Sequence, residues 1–357
     1  MHCKIEPIIE KIVLRPVAPV RDHRRQARKK LKAEATDIFT RSLGITEAAS
    51  VQKRTIEGYT LAVTAFERIM RLTVVSLPVA TLDSKMVTYF DYLYLEGECP
   101  SVGERLWAAV RMLIPEYSSH GRLSLPRAWR SLKGWRRLVP QKTRRPLPWV
   151  VVAAIAHWLA CHAGLGSALA WLTMVDAYLR PGECMRLVTS QVLPRTSQKW
   201  MDSVVLLLHP DERGIASNTG EMNESLAIRR PWLADLLNRW ARSRRSPAMW
   251  DCGLPELRAN FLKAATMLEL TPWRPVLYMG RHSGASLDRL EEVLSLAEVQ
   301  RRGRWRSEAS VRRYEKRALV QEVYLKLPLH VRKYAHRCEK DLVPLLLRLA
   351  ESQLQCR

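Results

Sequence analysis

The 357-residue sequence is poor in acidic residues. Asp and Glu total 35 against 58 Lys and Arg, which gives a formal net charge of +23. An excess of that size predicts an anionic partner, and nucleic acid is the commonest one because phosphate binding releases counterions. Composition alone leaves a membrane surface or an acidic protein open as alternatives. At 47% hydrophobic residues, the chain is expected to fold rather than to remain disordered.

The sequence also lacks the short motifs of many enzyme classes. It contains no GxxxxGK[ST], no GxSxG and no HExxH, so neither a cofactor nor a metal is predicted. The seven cysteines are scattered without a CxxC pair, which favours a reducing intracellular compartment. The segment His157-Trp158-Leu159-Ala160-Cys161-His162 has three possible zinc ligands but no second ligand pair at finger-like spacing, and helix packing is the better interpretation.

Long apolar runs are missing too. The longest covers about 13 residues, from Trp149 to Cys161, whereas a membrane-spanning helix needs roughly 20. No transmembrane helix and no membrane partner are predicted.

Five segments are predicted along the chain. Residues 1–45 lack sustained periodicity and hold a basic cluster between 21 and 32. That cluster is either a solvated leader or a segment that binds phosphate or directs the chain to the nucleus. The location expected from it is intracellular and nuclear. The other four segments are a helical domain at 46–137, a proline-rich basic linker at 138–148, a larger domain at 149–335 and a helical tail at 336–357.

The pattern of the two domains predicts a mainly α fold with a small antiparallel β-sheet, an α+β architecture. Ile56, Tyr59, Val63 and Phe66 recur at helical spacing in the first domain. In the second, apolar residues predict two largely buried helices at 150–163 and 168–178. Apolar runs at 204–209 and 225–228 flank a polar loop and predict a hairpin. Ser295 with Glu298 forms a capping box, and Gly303 lies where that helix is expected to end.

Three short segments of the second domain carry the candidate chemistry. Leu179-Arg180-Pro181-Gly182-Glu183 comes first, Tyr278-Met279-Gly280-Arg281-His282-Ser283-Gly284-Ala285 second, and Gly303-Arg304-Trp305-Arg306 leads on to Arg313-Tyr314. Arg281 lies 101 residues after Arg180, Trp305 another 24 on, and Tyr314 nine beyond Trp305. The order and spacing are more specific than any single motif.

This ordered set of motifs resembles the tyrosine recombinase (phage integrase) family. The sequences GRW before the tyrosine and RHSGAS around the second arginine are most similar to the eukaryotic, mobile-element-type members. The resemblance covers about 145–335 well. Residues 46–125 are less specifically similar to the family's amino-terminal core-binding domain. The resemblance to the family implies a two-domain clamp around double-stranded DNA and a homo-oligomer on that DNA. It also implies DNA recombination and integration without a cofactor.

The resemblance also implies residue roles. Arg180 and Arg281 would clamp the phosphate, because arginine offers a planar fork of donors that stays charged. Arg180 also immediately precedes Pro181, which suits the first turn of a helix, and the free backbone N–H groups of that helix start would face the same anion. Glu183 would orient Arg180, and Trp305 would donate its indole N–H to a phosphate oxygen. Tyr314 would be the nucleophile that forms a 3′-phosphotyrosyl intermediate.

Two residues depart from the family pattern. Asn218 stands in the hairpin where the family has a lysine that protonates the departing 5′ oxygen, and an amide cannot supply that proton. Tyr278 stands where the family has a histidine. The alternative function is therefore an impaired, domesticated relative that binds DNA without cutting it. A third and weaker alternative is a basic helical scaffold for protein partners.

Overall fold

The computed structural model describes residue 47 and residues 50–140, 144–198, 202–210, 221–312 and 317–355. The chain divides into two compact units, Met1–Lys142 and Thr143–Arg357. The predicted basic arm lies outside the described residues. The fold class is confirmed: the described chain is mainly helical with one small antiparallel sheet.

In the part that the structure describes, the first unit packs four helices around an apolar core. Proline occupies the first turn of two of them, where its missing N–H is tolerated and its fixed φ favours the helix. Phe66, Phe90, Leu106 and Trp135 are among the buried side chains. The helices are α1 Lys53–Met70, α2 Val79–Leu95, α3 Pro100–Leu113 and α4 Pro126–Leu138.

Helix α4 combines a buried apolar face with a basic outer face. Ala128, Leu132 and Trp135 point into the core. The helix has five basic residues and no acidic one, and all five are exposed: Arg127, Arg130, Lys133, Arg136 and Arg137. Its first turn is fixed by the buried Asp83 of α2, which accepts hydrogen bonds from the backbone N–H groups of residues 127 and 128 at 3.0 and 2.8 Å.

The second unit is larger and carries the sheet. Its described helices and strands are α5 Trp149–Asp176, α6 Pro181–Cys184, β1 Val192–Leu193, β2 Val205–Leu208, β3 Glu224–Ala227, α7 Pro231–Ser243, α8 Leu254–Met267, α9 Met279–Leu290, α10 Leu296–Gly303, α11 Glu308–Val311, α12 Arg317–Lys326 and α13 Leu329–Gln355.

The sheet is antiparallel in the order β1-β2-β3. Strands β2 and β3 pair Leu206 with Leu226 and Leu208 with Glu224, which confirms the predicted hairpin. Strand β1 was not predicted, because two residues are too few to show a periodic pattern. The hairpin loop between 211 and 220, with Asn218, lies outside the described residues.

Helix α5 runs through the centre of the second unit and is longer than the sequence suggested. Two helices were predicted, at 150–163 and 168–178, but the structure has one element of 28 residues with a non-helical backbone at Gly164 (φ 83°). By length and composition alone this one described helix could cross a membrane, because it continues well beyond the apolar run of about 13 residues with which it begins. Most of its side chains are buried against the rest of the unit.

Helix α13 packs along α5. Its buried residues recur every three or four positions, as expected for a helix with one apolar stripe: Val331, Ala335, Cys338, Leu342, Leu346 and Ala350. The predicted boundary between domain and tail at residue 335 falls inside this helix, and the residues on both sides of it pack on the same core.

Candidate active site

Helix α9 holds Arg281 close to α5 because two of its glycines allow the helices to approach. A Cβ atom at Gly284 would collide with the carbonyl oxygen of Val175, and one at Gly280 would lie 2.9 Å from the Trp171 ring. Glycines four residues apart share one helix face. The sequence GRHSGAS therefore provides the glycines for the close contact between α9 and α5 as well as the candidate site residue Arg281.

Arg281 is fully buried. Its Nη1 donates to the carbonyl oxygen of Tyr178 at 2.6 Å, and its Nη2 donates to the carbonyl oxygen of Gly303. Its guanidinium carbon lies 4.6 Å from the centre of the Trp305 ring. Burial lowers the pKa of Arg281 from its usual range. Among the described residues its Nε has no hydrogen-bond partner, so part of its donor capacity is unused within them.

Arg180 immediately precedes the single turn α6, and Glu183 lies within that turn. The Arg180 guanidinium and the Arg180 backbone N–H both donate to the Glu183 carboxylate, the latter at 2.9 Å. Burial acts to lower the pKa of Arg180, but Glu183 and a hydrogen bond with the Tyr278 side chain raise it overall. A quarter of the Arg180 side chain is exposed, so its guanidinium can meet a ligand from solvent.

The turn α6 is shorter than the sequence implied. Arg180 was expected to precede a helix whose free N–H groups face an anion. The helix has only four residues, and Glu183 accepts the hydrogen bond from the N–H of the capping residue. Anion binding here would depend on the arginine side chain.

Trp305 follows α10, whose capping box is formed as predicted. The Ser295 Oγ accepts a hydrogen bond from the Glu298 N–H, and the Glu298 carboxylate accepts one from the Ser295 N–H at 2.7 Å. A Cβ atom at Gly303 would fall on the Trp305 ring. Glycine at that position therefore lets the indole fold back over the helix end toward Arg281.

Arg304 is a site neighbour that sequence reasoning did not select, although it lies within the third motif. Its Nη2 donates to Glu183 at 2.7 Å and its Nη1 donates to Glu224 at 3.1 Å. Burial acts to raise the pKa of Glu183, but Arg304 and Arg180 outweigh it and lower that pKa to about 2. The carboxylate is therefore ionised across the physiological range.

Two buried carboxylates form a second charged layer close to Arg281. Asp176 binds Arg230 Nη1 at 2.9 Å and Arg302 Nη2 at 3.1 Å. Asp288 accepts hydrogen bonds from the Tyr178 hydroxyl and from Arg229. Burial, with Asp288 close by, raises the pKa of Tyr178 well above its usual range. These contacts fix Tyr178, whose carbonyl oxygen binds Arg281. No local sequence signal pairs residues this far apart.

The structure brings five of the seven candidate residues together. Arg180 contacts Glu183 and Tyr278, and Arg281 stacks against Trp305. The other two candidates, Tyr314 and Asn218, lie outside the described residues. Arg281 differs from an exposed phosphate clamp, because the Trp305 ring lies over its guanidinium.

The histidine and cysteine cluster on α5 shows no metal centre. His157 Nε2 lies 3.2 Å from Asp341 Oδ2, while Cys161 and His162 are exposed rather than packed in the core. In the part of the chain that the structure describes, no group of three or more His, Cys, Asp or Glu residues is arranged to hold a metal ion.

Solved structures with a similar fold include a site-specific recombinase and an integrase. XerH bound to its palindromic difH substrate after cleavage has a TM-score of 0.53 and 13% identity, over 78% of this chain and 80% of that one. Its pre-cleavage complex scores 0.51 at 12% identity, over 84% of both chains. Lambda integrase bound to DNA scores 0.50 at 12% identity, over 85% of this chain and 99% of that one.

Neither protein-family models nor curated protein sequences match the chain. At 12 to 13% identity, the structural likeness shows the fold, which is that of the tyrosine recombinases.

Proposed function

We propose that this protein is a tyrosine recombinase or integrase that cleaves and rejoins double-stranded DNA through Tyr314. The observation that carries the proposal is the cluster of Arg180, Glu183, Arg281 and Trp305 within a recombinase fold. The solved recombinases with this fold were captured on DNA, and the net charge of +23 suits the same ligand.

The proposed chemistry is an in-line attack on phosphorus. The Tyr314 hydroxyl loses its proton to solvent as its oxygen forms a bond to phosphorus, while the bond from phosphorus to the 5′ oxygen breaks and that oxygen takes up a proton as it leaves. Negative charge develops on the non-bridging oxygens in the transition state. Arg180, a quarter of whose side chain is exposed, would meet these oxygens with its guanidinium. Arg281 is fully buried and its Nη atoms donate to the carbonyl oxygens of Tyr178 and Gly303, so its remaining N–H groups would have to become accessible before they could donate to these oxygens.

The basic face of α4 is the proposed DNA contact of the first unit. Arg130 and Arg137 are exposed on a helix without carboxylates, so nothing on that helix neutralises them. Contacts of this kind hold the phosphate backbone without reading sequence. We extend the proposal to a homo-oligomer on DNA, to a mobile-element origin and to the nucleus. The mobile-element origin rests on the amino-acid sequence of the motifs, and the nuclear location rests on the basic cluster between residues 21 and 32.

Covalent trapping tests the cutting step. The wild type would be incubated with a pool of nicked duplexes of randomised sequence, and protein joined to DNA would be scored on a denaturing gel. Tyr314→Phe should remove the covalent band. The mass of the complex under native conditions would give the number of protomers on each duplex. Absence of any band from the wild type would argue against cleavage of ordinary DNA.

Asn218 favours a second candidate, a relative that binds DNA without cutting it. A substrate with a bridging 5′ sulfur separates the two, because a thiolate leaves without needing a proton. If only the proton donor is missing, the wild type should cleave the sulfur substrate and Asn218→Lys should restore cleavage of ordinary DNA. Failure on both substrates with binding retained supports the non-cutting relative. DNA binding that is flat between about 50 and 200 mM salt would instead favour the protein scaffold.

A further inference from the structure

Arg304 has a backbone conformation that side chains disfavour. It follows α10 with φ 55° and ψ 43°, in the left-handed region. Glycine is the usual residue after a helix end, because an L-residue costs about 1–2 kcal/mol in that conformation. In this chain the glycine comes one residue earlier, at Gly303, where the Trp305 ring excludes a Cβ atom. The arginine at 304 is therefore stabilised through its side-chain contacts.

Those contacts join two separate elements. The guanidinium binds Glu183, at the end of α6, and Glu224, the first residue of β3. Only 9% of the Arg304 side chain is exposed. A buried guanidinium between two carboxylates is held far more firmly than an exposed ion pair, because removing either partner leaves an uncompensated buried charge.

We propose that Arg304 is a positioning residue of the candidate active site: together with Arg180 it holds the Glu183 carboxylate, and so fixes the direction in which Arg180 presents its guanidinium. The same side chain connects this arrangement to the hairpin strand β3. This inference rests on the proposed function, in which Arg180 binds the phosphate.

The division of hydrogen bonds explains how Arg304 acts through Glu183. Glu183 Oε1 accepts from the Arg180 guanidinium, and Oε2 accepts from both the Arg180 N–H and Arg304 Nη2. Without Arg304, the buried carboxylate would lose one of the guanidinium groups that hydrogen-bond to it. It would be protonated more easily, and protonation removes the charge that orients Arg180.

Several other ionisable groups lie near Glu183, and a pH experiment has to take them into account. Cys184 is next to it in α6, and Arg281 of α9 lies within electrostatic range. Arg186 and His209 line a small cavity together with Glu183. His209 is an ionisable neighbour of Glu183, so His209→Asn is the control that separates any contribution of its side chain to the pH profile.

The first test is the pH profile of covalent complex formation between about pH 4 and 8. In the wild type, Glu183 stays ionised across this range. In Arg304→Asn, which tolerates the left-handed conformation, the pKa of Glu183 rises and the rate falls as the pH drops through it. Below the raised pKa, the ratio of wild-type to variant rate should grow about tenfold per pH unit, as the ionised fraction falls.

Three variants control this comparison. Arg304→Lys keeps a charge but loses the two-armed fork, and should lie between wild type and Arg304→Asn. Glu224→Gln removes the outer partner only and should shift the profile less. Arg348→Asn removes an exposed arginine of α13, paired with Asp341, and should leave the profile unchanged. A purely structural role for Arg304 predicts a ratio that is constant with pH, and that result would overturn the proposal.

The second test does not need cleavage. Glutamate side chains labelled with ¹³C at the carboxyl carbon would be titrated by NMR, with Glu183→Gln to assign the signal. Glu183 should not titrate above about pH 4 in the wild type and should do so in Arg304→Asn. An unchanged titration would refute the role of Arg304. If the wild type forms no covalent complex with any DNA, the proposed function fails, while the NMR titration still decides whether Arg304 holds Glu183.

Discussion

The two units of the chain treat buried charge in opposite ways. Among the described residues of the first unit, Asp83 is the only buried ionisable carboxylate, and it accepts hydrogen bonds from backbone N–H groups rather than from arginines. The second unit buries Asp176, Glu183, Arg281 and Asp288. Buried charge is costly unless it is paired. The comparison indicates that the first unit is held by apolar packing, while the second maintains charges that packing alone does not require.

The largest expected effect is the loss of DNA cleavage when a buried charge of the second unit is removed. Arg281→Ala should lower covalent complex formation by about 10²–10³ or more, because a fixed cation that stabilises charge in the transition state is removed. DNA affinity should change little, since the basic surface remains. Gel quantification of the covalent band, with a binding titration alongside, measures both.

Arg130→Ala in the first unit is the matched control for Arg281→Ala. It should weaken binding and leave the rate of the bound complex unchanged, because backbone contacts position DNA without taking part in the reaction. Because Arg281 is buried, thermal unfolding of Arg281→Ala has to show an intact fold. Undiminished cleavage in a folded Arg281→Ala protein would exclude this residue from the site.

The next effect concerns stability. Asp176→Ala leaves Arg230 and Arg302 without their buried partner and should lower the free energy of unfolding by about 3–5 kcal/mol. Asp83→Ala removes hydrogen bonds to two backbone N–H groups and should cost only about 1–3 kcal/mol. Urea unfolding of each variant tests the order. Equal losses would show that the two units do not differ in their dependence on buried charge.

A smaller effect on stability is expected when one glycine of each unit is replaced by alanine. Gly284→Ala should cost about 1–3 kcal/mol, because the added methyl collides with the α5 backbone. Gly134 in α4 has no atom within 4 Å of the position that a Cβ would take, so Gly134→Ala should stabilise the first unit by roughly 0.5–1 kcal/mol through helix propensity. Thermal melting measures both changes. A stable Gly284→Ala protein would mean that α5 and α9 can separate without loss.

The smallest expected effect is on the salt dependence of DNA binding. Arg130→Ala with Arg137→Ala should reduce the slope of log affinity against log salt by up to about 0.9 for each phosphate that the protein no longer neutralises. Fluorescence anisotropy with a labelled duplex measures the slope. Arg348→Ala on α13 is the matched charge control, and it should leave the slope unchanged. If both variants behave alike, α4 is not the DNA-binding surface of the first unit.

Much of the local structure could be predicted from the sequence because its causes are local. The capping box of Ser295 and Glu298 begins α10, Pro181 occupies the first turn of α6, and the two apolar runs on either side of a polar loop give the β2–β3 hairpin. Each depends on residues a few positions apart. The merger of two predicted helices into α5 across Gly164 and the two-residue strand β1 were missed, since neither leaves a periodic signal.

The spacing of the motifs also determined which residues to consider as a site, and five of the seven candidates do meet in the structure. Only the tertiary structure decided that Arg281 is buried beneath Trp305, that Asp176 and Asp288 lie behind the site, and that Arg304 binds Glu183. Arg304 and Glu183 are 121 positions apart in the chain. Ion pairs and close helix contacts at such separations depend on how distant elements pack, and no local pattern in the sequence records that.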